Sequence, residues 1–452
     1  MNTKLLTLTA FAGLMVSSCV SDDVVTENTD PKGGAITFSA SVGRSTRATE
    51  IKIGNLGDFG VFARGVNPSQ GTFLDNFVIG ETNPEIAKRY NAREEASDRW
   101  DLNTKIYWPS DVSDVLFWGF TSRINTDEEY PDIFGGNGKL GFNKDNGPEL
   151  KGFSPKRSTR KNGDNYLNYL DGNIQRDLVV AFTHVHGATS NVNLNFEHAL
   201  SQIKIWAKGG TGNNNHRIVK IKGAWIVNAS SIGDLSANYK FKDNESTDDF
   251  SCGHTWEPKT DSHVAYGSFH ETPITLTTDP KSILSANNIG SLMLIPQKVK
   301  PWEGKQPGIT FENVNTQKAY ILLYCRIEAF HGSKETDDYP NTPTDKTDMN
   351  ASHTHQLFPH TDKWDENAYG YTCVPIEIDW QRGKIYKYVL DICGPSTGGG
   401  VYPPNLPDSI PPGITPPDGK VPGDPILDEP IKFQVSVSDW DDEWKNGNEI
   451  PM

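Results

Sequence analysis

Three groups of histidines and carboxylates along the chain could hold a cation. His184-Val185-His186 would set both imidazoles on one face of a strand, as a metal site requires. No carboxylate follows at the spacing of a cupin-like site and the run abuts Gly187, so it reads as a solvated strand end. His353, His355, His360 and Asp362 are denser. They share a polar stretch with Pro340, Pro343 and Pro359 and read as a surface loop. Asp439, Asp441 and Asp442 lack the glycine and spacing of a calcium loop and read as a charged strand end. No GxSxG elbow, phosphate-binding loop, dinucleotide fingerprint or HExxH pair occurs, so no enzyme, metal or other cofactor is expected. Only a carboxylate pair drawn from distant positions, as in glycoside hydrolysis, would escape such a search.

The thiols offer different chemistry. Lys4 and the apolar run 5–16 form a signal-peptide core, too short for a membrane span, which needs about 20 apolar residues. Val16-Ser17-Ser18-Cys19 then resembles a lipobox, in which small residues fit the signal peptidase and the thiol takes a diacylglyceryl group. Residues 1–18 are therefore expected to be removed and Cys19 lipidated. Ser21, Asp22 and Asp23 begin a polar, acidic tether over 19–34. Cys252, Cys325, Cys373 and Cys393 are an even set with no CxxC spacing. They permit two disulfides in any of three pairings, or buried free thiols.

Alternating strands would have to carry these groups. Ile36, Phe38, Ala40 and Val42 alternate with polar residues, and so do Ile431, Phe433, Val435 and Val437 near the other end. Further strand-like runs lie at 57–64, 105–108, 115–121, 177–183, 192–207, 217–228, 272–277, 291–295, 319–327 and 384–392. Residues 84–100 have helical composition, with Ile86 and Tyr90 one turn apart. Glycine (41) and proline (29) are frequent, which suits many short strands joined by turns. The expected architecture is all-β, most simply two β-sandwiches in tandem over 35–208 and 216–452, with the Gly/Asn-rich run 209–215 between them. The Pro/Gly-crowded segment 394–430 reads as a semi-stiff tether, able to span about 100 Å at ~3 Å per residue, ahead of a terminal strand at 431–438. A net charge of -15 excludes a nucleic-acid partner, which would require a basic surface.

The two alternating end strands suggest a physical role. Taking a strand out of a sandwich exposes apolar side chains and two unpaired backbone edges. A donated strand of matching alternation repairs both, and head-to-tail donation builds an open filament.

Longer motifs then carry a resemblance. VNLNFEHALSQIKI (192–205), SLMLIPQKV (291–299), WQRGKIYKYVLDI (380–392) and IKFQVSVSDWDDEW (431–444) resemble signatures of the fimbrillin family of type V pilins and Mfa-like adhesins. IYWP (106–109) and GVFAR (60–64) follow in the same order. The resemblance implies transthyretin-like β-sandwiches, export as an outer-membrane lipoprotein, and assembly at the cell surface into fimbriae with other subunits, of the same or another kind. It also implies a protease cut after Arg47, or alternatively Arg44, that removes the first strand (Ile36, Phe38, Ala40, Val42). A C-terminal strand (Ile431, Phe433, Val435, Val437) from another subunit would replace it, and the finished fimbria could grip a host or bacterial surface ligand. Anchor-type members stay uncut. The alternative is a surface lipoprotein that binds glycan or another ligand without polymerising.

Because lipid is the only membrane attachment in this reading, Cys19→Ala is expected to abolish fatty-acid labelling and release the chain from the membrane. Metabolic labelling with membrane fractionation checks this, and unchanged behaviour would remove Cys19 as the anchor.

Overall fold

Alternation drives the chain into strands throughout, and no α-helix occurs among the described residues of the computed structural model. These are residues 34–42, 51–122 (without 52, 71 and 93–94), 133–155 (without 135), 177–209, 217–241, 250–285, 291–331 (without 315–316), 353–404 (without 362–363) and 417–440 (without 418 and 428). The strands begin with β1 (Thr37–Val42), β2 (Phe59–Asn67), β3 (Thr72–Ile79), β4 (Glu85–Ala92), β5 (Glu95–Leu102) and β6 (Asp114–Thr121). There follow β7 (Lys139–Asn143), β8 (Gly147–Phe153), β9 (Val179–His186), β10 (Asn191–His198), β11 (Ser201–Gly209) and β12 (Arg217–Ser230). Next come β13 (Gly233–Phe241), β14 (Phe250–Pro258), β15 (His263–Thr275), β16 (Lys281–Ser282), β17 (Leu292–Leu294) and β18 (Lys298–Val299). The chain ends with β19 (Tyr320–His331), β20 (His353–Phe358), β21 (Gly370–Pro375), β22 (Ile378–Asp379), β23 (Lys384–Ile392) and β24 (Lys432–Asp439).

The first sheet closes on itself. Its order is β3-β2-β4-β5-β1-β10-β9-β6, and β6 pairs back with β2, so every strand but β3 belongs to a ring. Inside lies an aromatic core of Phe38, Phe59, Trp100, Phe117 and Phe196. β6 is buried on both faces. Val115 and Phe117 point into the ring, while Leu116, Trp118 and Phe120 enter a second core under the sheet β14-β13-β8-β7. Double-sided burial explains the unbroken apolar run VLFWGFT. A second sandwich packs β16-β11-β23-β24 against β15-β12-β19-β20, with Ile203, Ile205, Ile221, Ile321, Leu323 and Leu390 between the layers.

Five expectations change. Residues 84–100 form strands: Arg89 pairs with Trp100 across β4 and β5, and the Trp100 indole is fully buried with its Nε1 donating to Gly57 O at 3.0 Å. Burying that ring outweighs a weak helical composition. Sheet membership changes before the expected linker, because β10 lies in the ring while β11 pairs in parallel with β23. The segment 394–430, where described, is folded onto β21 and not free. Cys373 N donates to Val401 O at 2.9 Å, Thr372 Oγ1 to Gly399 O at 2.7 Å, and Tyr402 N to Asp424 O at 3.0 Å. Proline removes N–H donors but leaves carbonyls to accept such bonds. His353–Phe358 is a strand and not a loop; it pairs with β19 and buries His355 and Gln356. The run 105–108 makes only a single bridge, Ala35 to Tyr107.

Gly267 lies where the second sandwich is tightly packed, since a Cβ there would strike Ala224 O and the fully buried Trp225. Gly267→Ala should therefore cost about 1–3 kcal/mol by overpacking. Urea unfolding would show a lower midpoint at unchanged slope.

Candidate functional site

The candidate site has two halves, the seat of β1 and the strand β24. β1 is an interior stave of the ring, parallel to β10 and antiparallel to β5. Its period of two sends Ile36 and Phe38 into the core, Phe38 being 0% exposed and edge-on to Phe59 and Phe117 at 6.0 and 6.1 Å. Ala40 and Val42 are half-buried against the same core. On the outer face Ser41 Oγ donates to Asn195 Oδ1 at 2.8 Å and Ser39 Oγ to Asn193 Oδ1 at 3.3 Å.

Among the described residues β24 pairs with β23 alone, so one of its edges carries no ladder there. Phe433, Val435 and Val437 stand opposite Leu390, Tyr388 and Tyr386, which places them on the core-facing side of their sheet. The opposing layer does not cover them: they are 36%, 44% and 56% exposed. Ile431 at the start is buried in the second sandwich, and Trp440 just past the end is buried in the middle core.

Trp440 is held by groups far away in sequence. Its ring stacks on His198 at 4.1 Å and 6°, and its backbone N–H donates to Gly383 O at 2.9 Å. His198 Nδ1 lies 2.9 Å from Asp177 Oδ2, and both side chains are almost wholly buried. The same Oδ2 accepts from Ile51 N at 2.9 Å, while Oδ1 accepts from Leu178 N at 2.8 Å. One carboxylate thus fixes the chain just after residues 43–50 and, through His198, the end of β24. Sequence reading passed over this group. His198 and Trp440 fell inside quoted motifs, but nothing in sequence joins them to Asp177.

Cys19, Arg44 and Arg47 lie outside the described residues, as do Asp362, Asp441 and Asp442. His184 Nε2 and His186 Nδ1 do share a face, and both meet Asp114 Oδ1 at 2.9 Å across from β6. Burial alone would raise the Asp114 pKa, but hydrogen bonds from Ser113, His186 and His184 outweigh it and hold the carboxyl below its usual range. No disulfide joins Cys252, Cys325, Cys373 and Cys393 to one another, and burial pushes the Cys252 thiol up to about 11. β1 and β24 share no sheet, so the chain does not itself bring the two halves together.

A family model of fimbrillin-like proteins matches residues 46–399, a span that leaves β1 and β24 outside it. Among solved structures the chain is similar to a fimbrial protein from Bacteroides vulgatus at 14% identity, covering 89% of this chain and 99% of that one with a TM-score of 0.46. A candidate cell adhesion protein from Parabacteroides distasonis shares 12% identity over 90% and 99% of the two chains, at a TM-score of 0.36. Another from Bacteroides eggerthii shares 11% over 90% and 97%, also at 0.36. A search of curated proteins found no match.

Since Trp440 pins the far end of β24, Trp440→Ala should free the strand while leaving the sandwiches folded. Amide exchange over 432–439 is expected to accelerate with exchange in β11 and β12 unchanged. Equal protection in the variant would show that the ladder alone holds the strand.

Proposed function

The chain belongs to the fimbrillin-like family, and we propose that it is a fimbrial subunit, exported as a lipoprotein through Cys19 and polymerised when β24 of one copy enters the seat of β1 in another. It is a structural protein of the cell surface and not an enzyme. The observation that carries the finer reading is the match between a strand with a seat and a strand without one. Aligned from Ile36 and Ile431, the sequences ITFSASV and IKFQVSV agree at Ile, Phe, Ser and Val, with Ala40 standing against Val435. Phe433 would thus take the place of Phe38 against Phe59 and Phe117, and Ser436 that of Ser41 beside Asn195.

Energetics favour the transfer. The ladder to β23 is exchanged for ladders to β5 and β10, so the open edge of β24 gains a partner, and burying what is still exposed of Phe433, Val435 and Val437 adds a part of the ~1.5–3 kcal/mol that full burial of such a side chain is worth. Removal of β1 leaves β5 and β10 with unpaired backbone and an exposed aromatic core, which a donated strand covers. Cleavage after Arg47, or after Arg44, would detach β1 together with the lipid. An uncut copy would stay at the outer membrane as an anchor.

Phe433→Asp combined with Val435→Asp separates the donated role from a structural one. Both side chains are partly exposed, so the monomer should melt within about 1 kcal/mol of the parent, while polymer ladders from cells disappear. Persisting ladders would mean that another element is donated. An unfolded variant would assign β24 to its own sandwich.

A further inference from the structure

A second surface lies close to the end of β24 but includes neither strand. Between β14, the stretch before β18 and the turn from β22 to β23 lies a cleft of about 570 Å³, within the ~300–1,000 Å³ of small-ligand sites. We propose that this cleft binds a saccharide carrying a carboxylate, with the sugar ring on Trp256 and the acid group at Arg382.

Trp256 is a fixed platform. Its Nε1 donates to Ala199 O at 2.7 Å and its ring packs on Phe153 at 5.9 Å, so the half-buried indole has no freedom to collapse into the cleft. Flat aromatic faces take the C–H side of a sugar ring, and the exposed Gln381 amide stands within reach of ring hydroxyls.

Charge selects the acid. The whole chain carries -15, yet no aspartate or glutamate lines this cleft, whereas Lys259, Lys298 and Arg382 do. Their partners Asp234, Asp379 and Glu197, at 2.6, 3.0 and 3.0 Å, stand outside the lining. Lys298 and Asp379 are an exposed pair, weak in water, and Lys259 and Arg382 are each partly open to solvent, so an incoming carboxylate can share the cations. A guanidinium also offers it two parallel N–H donors. Beneath Arg382, both ring nitrogens of His254 lack a hydrogen-bond partner, and burial with the nearby guanidinium keeps the imidazole neutral, its pKa lowered to about 3. The positive charge of the cleft therefore rests on Arg382 and the two lysines and not on His254.

Sialic acid caps and uronic acid units share this chemistry. Calorimetric titration of the purified mature chain, as monomer, with sialyllactose, a glucuronate-containing disaccharide and lactose distinguishes them. Binding of either acidic sugar at least about tenfold tighter than lactose is expected, and the one that binds names the source. Arg382→Gln should weaken that binding about tenfold or more at unchanged thermal midpoint. Should that variant misfold, Lys298→Glu, on a side chain mostly in solvent, is expected to weaken it at least severalfold. No binding of either acidic sugar at millimolar concentration, lactose binding equally well, or full affinity in a folded variant would each overturn the proposal. Because the titration is done on monomer, its outcome is independent of whether β24 is donated.

Discussion

Ring closure through β1 is the constraint on which the first half of the molecule depends. A strand's N–H and C=O groups need partners on both sides, and a closed ring supplies them without leaving an edge. β1 meets that need between β5 and β10, and Phe38 anchors the aromatic cluster inside. Yet β1 is also the first described strand of the chain, joined to the rest only through residues 43–50. The piece that closes the ring is thus the piece that a single backbone cut would separate.

β24 is in the opposite condition. Its ends are buried at Ile431 and Trp440, while its middle is paired along one edge and covered on neither face. A strand pinned at two points over an unburied centre has few apolar contacts to hold it beyond its one ladder. Asp177 and His198 connect the end of this strand to the chain at Ile51 through one buried carboxylate. The middle core, where the sheet β14-β13-β8-β7 spans both halves, holds that junction in place.

Alternation and turn residues were enough to establish an all-β chain, both end strands and several central strands. Those properties are local: a period of two exists in any stretch whatever it later packs against. The family motifs were legible for the same reason, being short runs with fixed order.

What only the tertiary structure decided concerns partners distant in sequence. The choice of strand over helix at 84–100 rests on burial of Trp100, and the folding of 394–404 and 417–430 rests on β21. Asp114 meets His184 and His186 only because β6 lies beside β9, and the Trp256 cleft exists only where β14 faces the turn before β23. Most of all, a sequence can present Phe433, Val435 and Val437 as apolar residues on one face, but whether another layer covers them is a property of that layer. Here it stops short, which leaves β24 apolar and open.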